Sequence, residues 1–509
     1  MRLFRMNFCP TRWRLVQAGV AFTTVVLVAG CGNNYRPTVV PISSSGPAPQ
    51  VTSYAVVVSS TSAAAAGNAT IIDYSGDSIT VGPIPIGPGP TAFTLSSSGA
   101  DGYTYNSNGT ISQFPISSSL QKKLVLSSPI PSTAQLVNLF SPFAGLWTAD
   151  LCGTVAAGVC QPNIDVFIGN PPSLIYNVPL AATPVMLVGT GSAGGRYFAI
   201  SQGAVSSNIA CNSRSSASPN GVVTGVEDTN YSTDPAITVG QCPVYALENT
   251  DGSRLFVLNR ASDTISVINT TSNMLDENCA ATNQDGQKIN CPVNGTLQLP
   301  AGSGPVYAEF NSATNQLVVA NYDGSTISVI DTSLDQYGND GPNFGTTFTI
   351  PVGKNPASVT VLYDGSRAYT ANQTDQSVSI VTLSSHTVET TLKGITGHPR
   401  TVVSTQNSSQ GKVYVASPDS DVLTIIRTDQ DIVDTIIPIT GNIVDVRVTS
   451  QNGTSASASS LSGSANLVSR VPGFGQPCNL PLSEFDPATN PTSTTGLANC
   501  QAQDTSLLQ

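Results

Sequence analysis

Leu317-Val318-Val319-Ala320-Asn321 is followed, across the polar Tyr322-Asp323-Gly324, by Ser325-Thr326-Ile327-Ser328-Val329-Ile330-Asp331. Two runs rich in Val, Ile and Thr on either side of a short polar turn read as a β-hairpin. The same order and spacing return three more times: Leu255–Asn259 with Asp263–Asn269, Ala368–Asn372 with Ser377–Val381, and Val413–Ser417 with Asp421–Ile426. A repeat of roughly 40 to 50 residues points to a propeller or a solenoid, because one hairpin cannot bury its own apolar face and needs copies of itself as neighbours.

Working outward, each unit carries a third β-rich run, such as Thr347–Ile350 or Val388–Leu392, and then a Gly/Pro break. A fourth run follows, Pro305–Phe310 or Ala357–Leu362, and the latter enters Asp364-Gly365-Ser366-Arg367, the equivalent of Asp251-Gly252-Ser253-Arg254. Asp-Gly supplies the positive-φ turn that leads the chain into the next unit. Four antiparallel strands per unit make a propeller blade, so the expected class is all-β.

Ala368–Asn372, Thr326–Asp331, Pro356–Val359 and Asp364–Arg367 resemble the four elements of the YVTN β-propeller repeat. Fainter copies precede them at Tyr54–Val58, Tyr103–Asn106, Leu146–Asp150 and Arg196–Ile200. The count favours eight blades, with seven as the alternative, since many relatives of the resembled family have seven. The last β-rich run, Ile443–Val448, is of the kind that precedes the run at Tyr54, so the terminal strands are expected to pair and close the ring.

The ends of the chain speak about address. Arg2, Arg5, Arg12 and Arg14 precede a mostly apolar run from Val16 to Val28, which is shorter than the ~18 residues of a membrane span. Val28-Ala29-Gly30-Cys31 resembles the lipobox of bacterial lipoproteins, which implies that residues 1–30 are a signal peptide and that Cys31 is lipidated. An ordinary secretory signal with an incidental Cys31 is the alternative. With Gly32 rather than Asp after the cysteine, the resemblance also implies the outer membrane of a two-membrane envelope. Residues 31–50, rich in Pro, Ser and Gly, read as a flexible tether. The propeller is expected over 51–450, and 451–509 reads as a low-complexity, Cys-containing tail.

Composition narrows the partners. The formal net charge is −11, and removal of the four signal arginines takes it to about −15. A field of that sign repels phosphate backbones, so nucleic acid is not an expected partner. Of ten cysteines, eight remain after Cys9 and Cys31, in neighbouring pairs: Cys152 with Cys160, Cys211 with Cys242, Cys279 with Cys291, and Cys478 with Cys500. An even set in an exported chain suggests disulfides, and neither Cys-x-x-Cys spacing nor a histidine partner favours a metal.

No catalytic residue, metal site or cofactor emerges. The two histidines, His386 and His398, both fall in turns. Gly189-Thr190-Gly191-Ser192-Ala193-Gly194 spells a dinucleotide loop, but a strand rather than a helix follows it, so it reads as a turn. The acidic stretches Asp276–Gly286 and Asp335–Gly341 could offer oxygens to calcium, yet lack the ligand spacing of a known loop and read as surface. Asp263, Asp323, Asp375 and Asp421 recur ahead of the second strand of their units, which points to a turn or hydrogen-bonding role. The expected function is a protein- or glycan-binding or scaffolding module of the cell envelope, with the lipid on Cys31 as its membrane contact. The alternative is an enzyme with its site at the central channel, since proteins of the resembled family include a lactonase of sugar acids and quinoprotein-like dehydrogenases. An envelope-organising role without a defined ligand is a third reading.

Overall fold

Val, Ile and Thr alternating with small polar residues, and turns rich in Gly, Asn and Asp, give a chain of strands. The computed structural model describes residues 54–449, apart from 74–75, 117–124, 133, 143–144, 157–158, 190–194, 205–218, 277–294 and 406–410. Cys31 and the tether lie outside the described residues, and so does the tail with Cys478 and Cys500.

The strands form eight antiparallel sheets. Blade 2, from its inner to its outer strand, is Pro90–Leu95, Asp101–Asn106, Thr110–Pro115 and Leu126–Pro129. Blade 3 begins at Leu136–Phe140 and continues through Leu146–Ala156, Val159–Ile168 and Ser173–Pro179; blade 4 is Ala182–Val188, Arg196–Ala204, Asn220–Glu227 and Ile237–Gln241. Blade 5 runs from Pro243–Glu248 through Arg254–Asn259 and Thr264–Asn269, with its outer edge in two pieces, Met274–Leu275 and Thr296–Gln298. The inner strands of blades 6, 7 and 8 are Pro305–Asn311, Pro356–Val361 and Thr401–Ser404. In blade 1, Asn442–Val448 is innermost and pairs with Tyr54–Ser60, which pairs in turn with Ala66–Asp73; Ile79–Pro88 is outermost. Each inner strand packs against those of the two adjacent blades, round to the start. The chain is an eight-bladed β-propeller.

The terminal strands close the ring as expected. Val57 faces Val446 and Val56 faces Arg447, while Tyr54 N–H donates to Thr449 Oγ1 (2.8 Å) and Thr449 N–H to the Tyr54 carbonyl (2.8 Å). Each hairpin repeat is thereby part of one blade's three outer strands, and the fourth run of a unit becomes the inner strand of the next blade.

The repeat also has a chemical meaning. Asn321 Nδ2 donates to Thr326 Oγ1 (3.0 Å) and Ser328 Oγ (2.8 Å), across the turn it precedes. Asn106, Asn259 and Asn372 do the same to their own hydroxyl pairs. The inner hydroxyl of such a pair then accepts the N–H of a glycine from the preceding blade: Gly87 onto Ser112 (3.0 Å), Gly240 onto Ser266 (3.4 Å) and Gly353 onto Ser379 (3.3 Å). Strand end, turn and neighbouring blade are clasped by one buried amide. The apolar faces between blades supply the core, from the large cluster spanning Val244, Phe256, Val318 and Leu423 to the one around Phe93 and Phe114.

An inner strand has a strand partner on one side only, so its free N–H groups need other acceptors. Side chains of the adjacent inner strand supply several. Asn138 Oδ1 accepts from Leu187 N–H (3.0 Å), Ser358 Oγ from Val402 N–H (3.1 Å) and Thr360 Oγ1 from Ser404 N–H (3.0 Å).

Candidate functional site

The inner wall carries one group of charged and phenolic side chains. Arg447, on the closing strand, is 1% exposed, and its Nε lies 3.1 Å from Asp445 Oδ2. Asp445 also accepts from Thr401 Oγ1 (3.0 Å) and feels the Arg400 guanidinium of blade 8. Burial raises the Asp445 carboxyl, and Arg447 opposes that rise. The remaining guanidinium nitrogens, Nη1 and Nη2, are buried and have no hydrogen-bond partner among the described residues.

Arg447 acts electrostatically on Tyr245 of blade 5 and Tyr307 of blade 6, which stand on the far side of the ring from blade 1. Their rings lie 4.6 Å apart and their hydroxyls hydrogen-bond. Burial pushes both phenols well above their ordinary range, so they remain neutral donors. On the same strand as Tyr307, Glu309 is buried and bonded by Val361 N–H and Thr360; burial raises its carboxyl to about 8, so it is mostly protonated near neutrality.

A second feature opens at the surface between blades 3 and 4. Phe140 meets Tyr197 edge-on (5.3 Å), Tyr197 meets Trp147 (4.9 Å), Trp147 meets Tyr231 (5.6 Å) and Tyr231 meets Tyr176 (4.5 Å). Phe140, Trp147 and Tyr197 are buried, whereas Tyr176 is 49% exposed. The outer rings therefore rest on a fixed aromatic stack.

Cys152 and Cys160 are joined by a disulfide across the tip of a blade 3 hairpin, with Cα atoms 4.7 Å apart. Cys242 is disulfide-bonded as well, while Cys211, its expected partner, lies outside the described residues. The expected pairs of Cys279 with Cys291 and of Cys478 with Cys500 also lie outside the described residues.

Of the first acidic stretch only Asp276 is among the described residues, and the second is exposed at 336–338, as expected of surface; Asp276 and Asp340 themselves depart from that expectation. Asp276 and Asp340, one from each stretch, converge on Arg254: Arg254 Nε lies 2.5 Å from Asp276 Oδ2, and Nη2 lies 3.6 Å from Asp340 Oδ1. All three are buried: the guanidinium offsets one carboxylate charge, and burial with Asp276 alongside raises the Asp340 carboxyl to about 8, so that it keeps its proton near neutrality. Among the described residues no group of three or more His, Cys, Asp or Glu side chains could hold a metal ion. Asp263 caps the approach to blade 6 by accepting from Gly302 N–H (2.9 Å) and Gly304 N–H (2.7 Å), Asp375 accepts from Lys354 N–H (2.7 Å), and Asp323 pairs with Arg260 (2.9 Å). His398 sits on Asp419 (2.6 Å), and His386 stacks on Phe348 (3.8 Å). Among the described residues no helix is long and apolar enough to cross a membrane.

The axial group was not singled out from sequence, although two signals were present. Pro-Val-Tyr-Ala occurs at both 243–246 and 305–308, and Asp445 and Arg447 place two charges at alternate positions of the run Ile443–Val448, whose other residues are apolar.

No protein-family profile matches the chain, and no curated protein matches it. Solved structures do. Dihydro-heme d1 dehydrogenase NirN is 12% identical, with 79% of this chain and 76% of that one covered at a TM-score of 0.54. AztD from Citrobacter koseri in its apo form is 10% identical over 78% of this chain and 97% of that one, with a TM-score of 0.51. At such identities the likeness is one of fold alone.

Proposed function

We propose that the protein is an exported lipoprotein of the YVTN-repeat kind, held at the membrane through Cys31, whose ring is a binding module of the cell envelope for a glycan. The observation that supports binding is the half-exposed Tyr176 stacked on Tyr231 and backed by buried Trp147. Aromatic faces attract the C–H edges of sugar rings, and a platform already fixed by its neighbours loses little entropy on contact. The low share of charged residues, 10%, leaves Ser, Thr and Asn as further donors and acceptors for hydroxyls.

The test combines address and capture. Cys31→Ala should release the protein from the membrane fraction, and finding it still held by an acyl chain would refute the anchor. Affinity capture on immobilised envelope polysaccharide should retain the mature chain and lose Tyr176→Ala. Retention unchanged by that substitution, or a stoichiometric protein recovered from solubilised envelope in place of glycan, would refute the glycan reading.

A second reading, catalysis at the axis, is favoured by the convergence of Arg447, Glu309, Tyr245 and Tyr307. Turnover of a lactone or of a dehydrogenase substrate that Glu309→Gln abolishes would replace the first reading with this one.

A further inference from the structure

We infer that the axis of the ring holds an anion site built on Arg447, whose ligand is a small carboxylate. This inference goes beyond the surface reading and does not depend on it. A guanidinium stays protonated at any pH a protein survives, and it presents its donors in a planar fork. In Arg447 the Nε edge is taken by Asp445, while Nη1 and Nη2 find no partner among the described residues although the side chain is 1% exposed. Buried donors of a charged group left unmatched are costly, and a two-oxygen anion matches their geometry.

The surroundings select the class of anion. Asp445 pairs with Arg447 and accepts from Thr401, and Glu309 is already held by Thr360 and the Val361 N–H. With the Asp445 carboxylate already on the Nε edge of Arg447, the two remaining donors suit a monoanion better than a phosphate dianion, whose second charge that carboxylate would repel. Across the axis the paired hydroxyls of Tyr245 and Tyr307 offer neutral donors within the electrostatic reach of Arg447. One oxygen-rich headgroup would then meet charge on one side and phenols on the other. The guanidinium comes from the closing strand, so the site exists only in the completed ring.

The probe is acetate, titrated into the mature protein at constant ionic strength, with chloride and inorganic phosphate as competitors. Saturable binding is expected by calorimetry and as a rise in melting temperature, with nuclear Overhauser contacts from the acetate methyl to the Tyr245 and Tyr307 ring protons. Arg447→Lys keeps the charge and loses the fork, and should weaken acetate at least tenfold. Tyr307→Phe keeps the packing and should weaken it severalfold. The double substitution Arg447→Met with Asp445→Asn leaves no unpaired charge on that strand and should abolish the shift. Equal shifts with chloride, a preference for phosphate, contacts to other residues, absence of any carboxylate effect on the wild type, or undiminished affinity in Arg447→Lys would each overturn the assignment. The wild-type contacts decide the matter even where a variant fails to fold, and an intact site without glycan retention would separate this inference from the surface reading.

Discussion

Asn372 shows how one side chain sets the repeat. Its Nδ2 serves Ser377 (3.1 Å) and Ser379 (2.9 Å), and a Cβ placed on Gly353 of the preceding blade would stand 2.5 Å from that nitrogen. The amide cannot retreat without giving up both hydroxyls. Gly353→Ala is therefore expected to destabilise the fold by about 1–3 kcal/mol, read as a lower urea midpoint at unchanged slope. The buried Asp150 and Asp165 of blade 3 make a different residue-scale statement. Burial, with Asp150 alongside, raises Asp165 to about 8, so the folded protein keeps a proton that the unfolded chain releases near its ordinary value of 3.8. Stability from this group is full below the unfolded value and is lost as pH rises toward 8, at up to about 1.4 kcal/mol per pH unit for each proton. Glu309 and Asp340, both raised to about 8, act in the same sense. Asp165→Asn should flatten the decline between pH 5 and 7.5 in denaturant titrations, and an unchanged slope would contradict the shared proton.

At the scale of elements, the closing strand carries the most consequence. Without Asn442–Val448, the strand Tyr54–Ser60 would become a free edge beside an exposed apolar face. A chain lacking residues 442–449 should melt lower and self-associate through that edge; a monomer of unchanged melting temperature on light scattering would contradict it. The strands themselves were readable, because blades 5 to 8 keep Val/Ile/Thr alternation close to one pattern, with the Asp-Gly-Ser-Arg turn in blades 5 and 7, and the closure followed from which strand type stood at each end. The axial group was not readable in the same way. Arg447 and Tyr245 are far apart in sequence and meet only because the ring closes, and the aromatic stack joins Tyr176 to Tyr231 across two blades. Local periodicity reports on hairpins and carries no information about which blades face each other. The acidic stretches illustrate the same limit: each looked like surface on its own, while Asp276 and Asp340 are buried together against Arg254.

At the scale of the molecule, a ring of eight similar blades becomes asymmetric through a few residues. Blades 1, 5, 6 and 8 bring charge and phenols together at the inner wall. The outer face between blades 3 and 4 bears the aromatic platform, on a chain whose net charge of −11 favours neutral partners over polyanions. The platform contains its own reporter. The sequence has two tryptophans, Trp13 ahead of Cys31 and Trp147 against Tyr231, so a chain beginning at Cys31 has Trp147 as its sole indole. Titration of that mature chain with envelope polysaccharide, followed by tryptophan emission, reads binding at the platform itself. Glycan seated on Tyr176 should give a saturable change in Trp147 emission that Tyr176→Ala removes; emission that stays flat across the titration, or a change that survives the substitution, would contradict binding there.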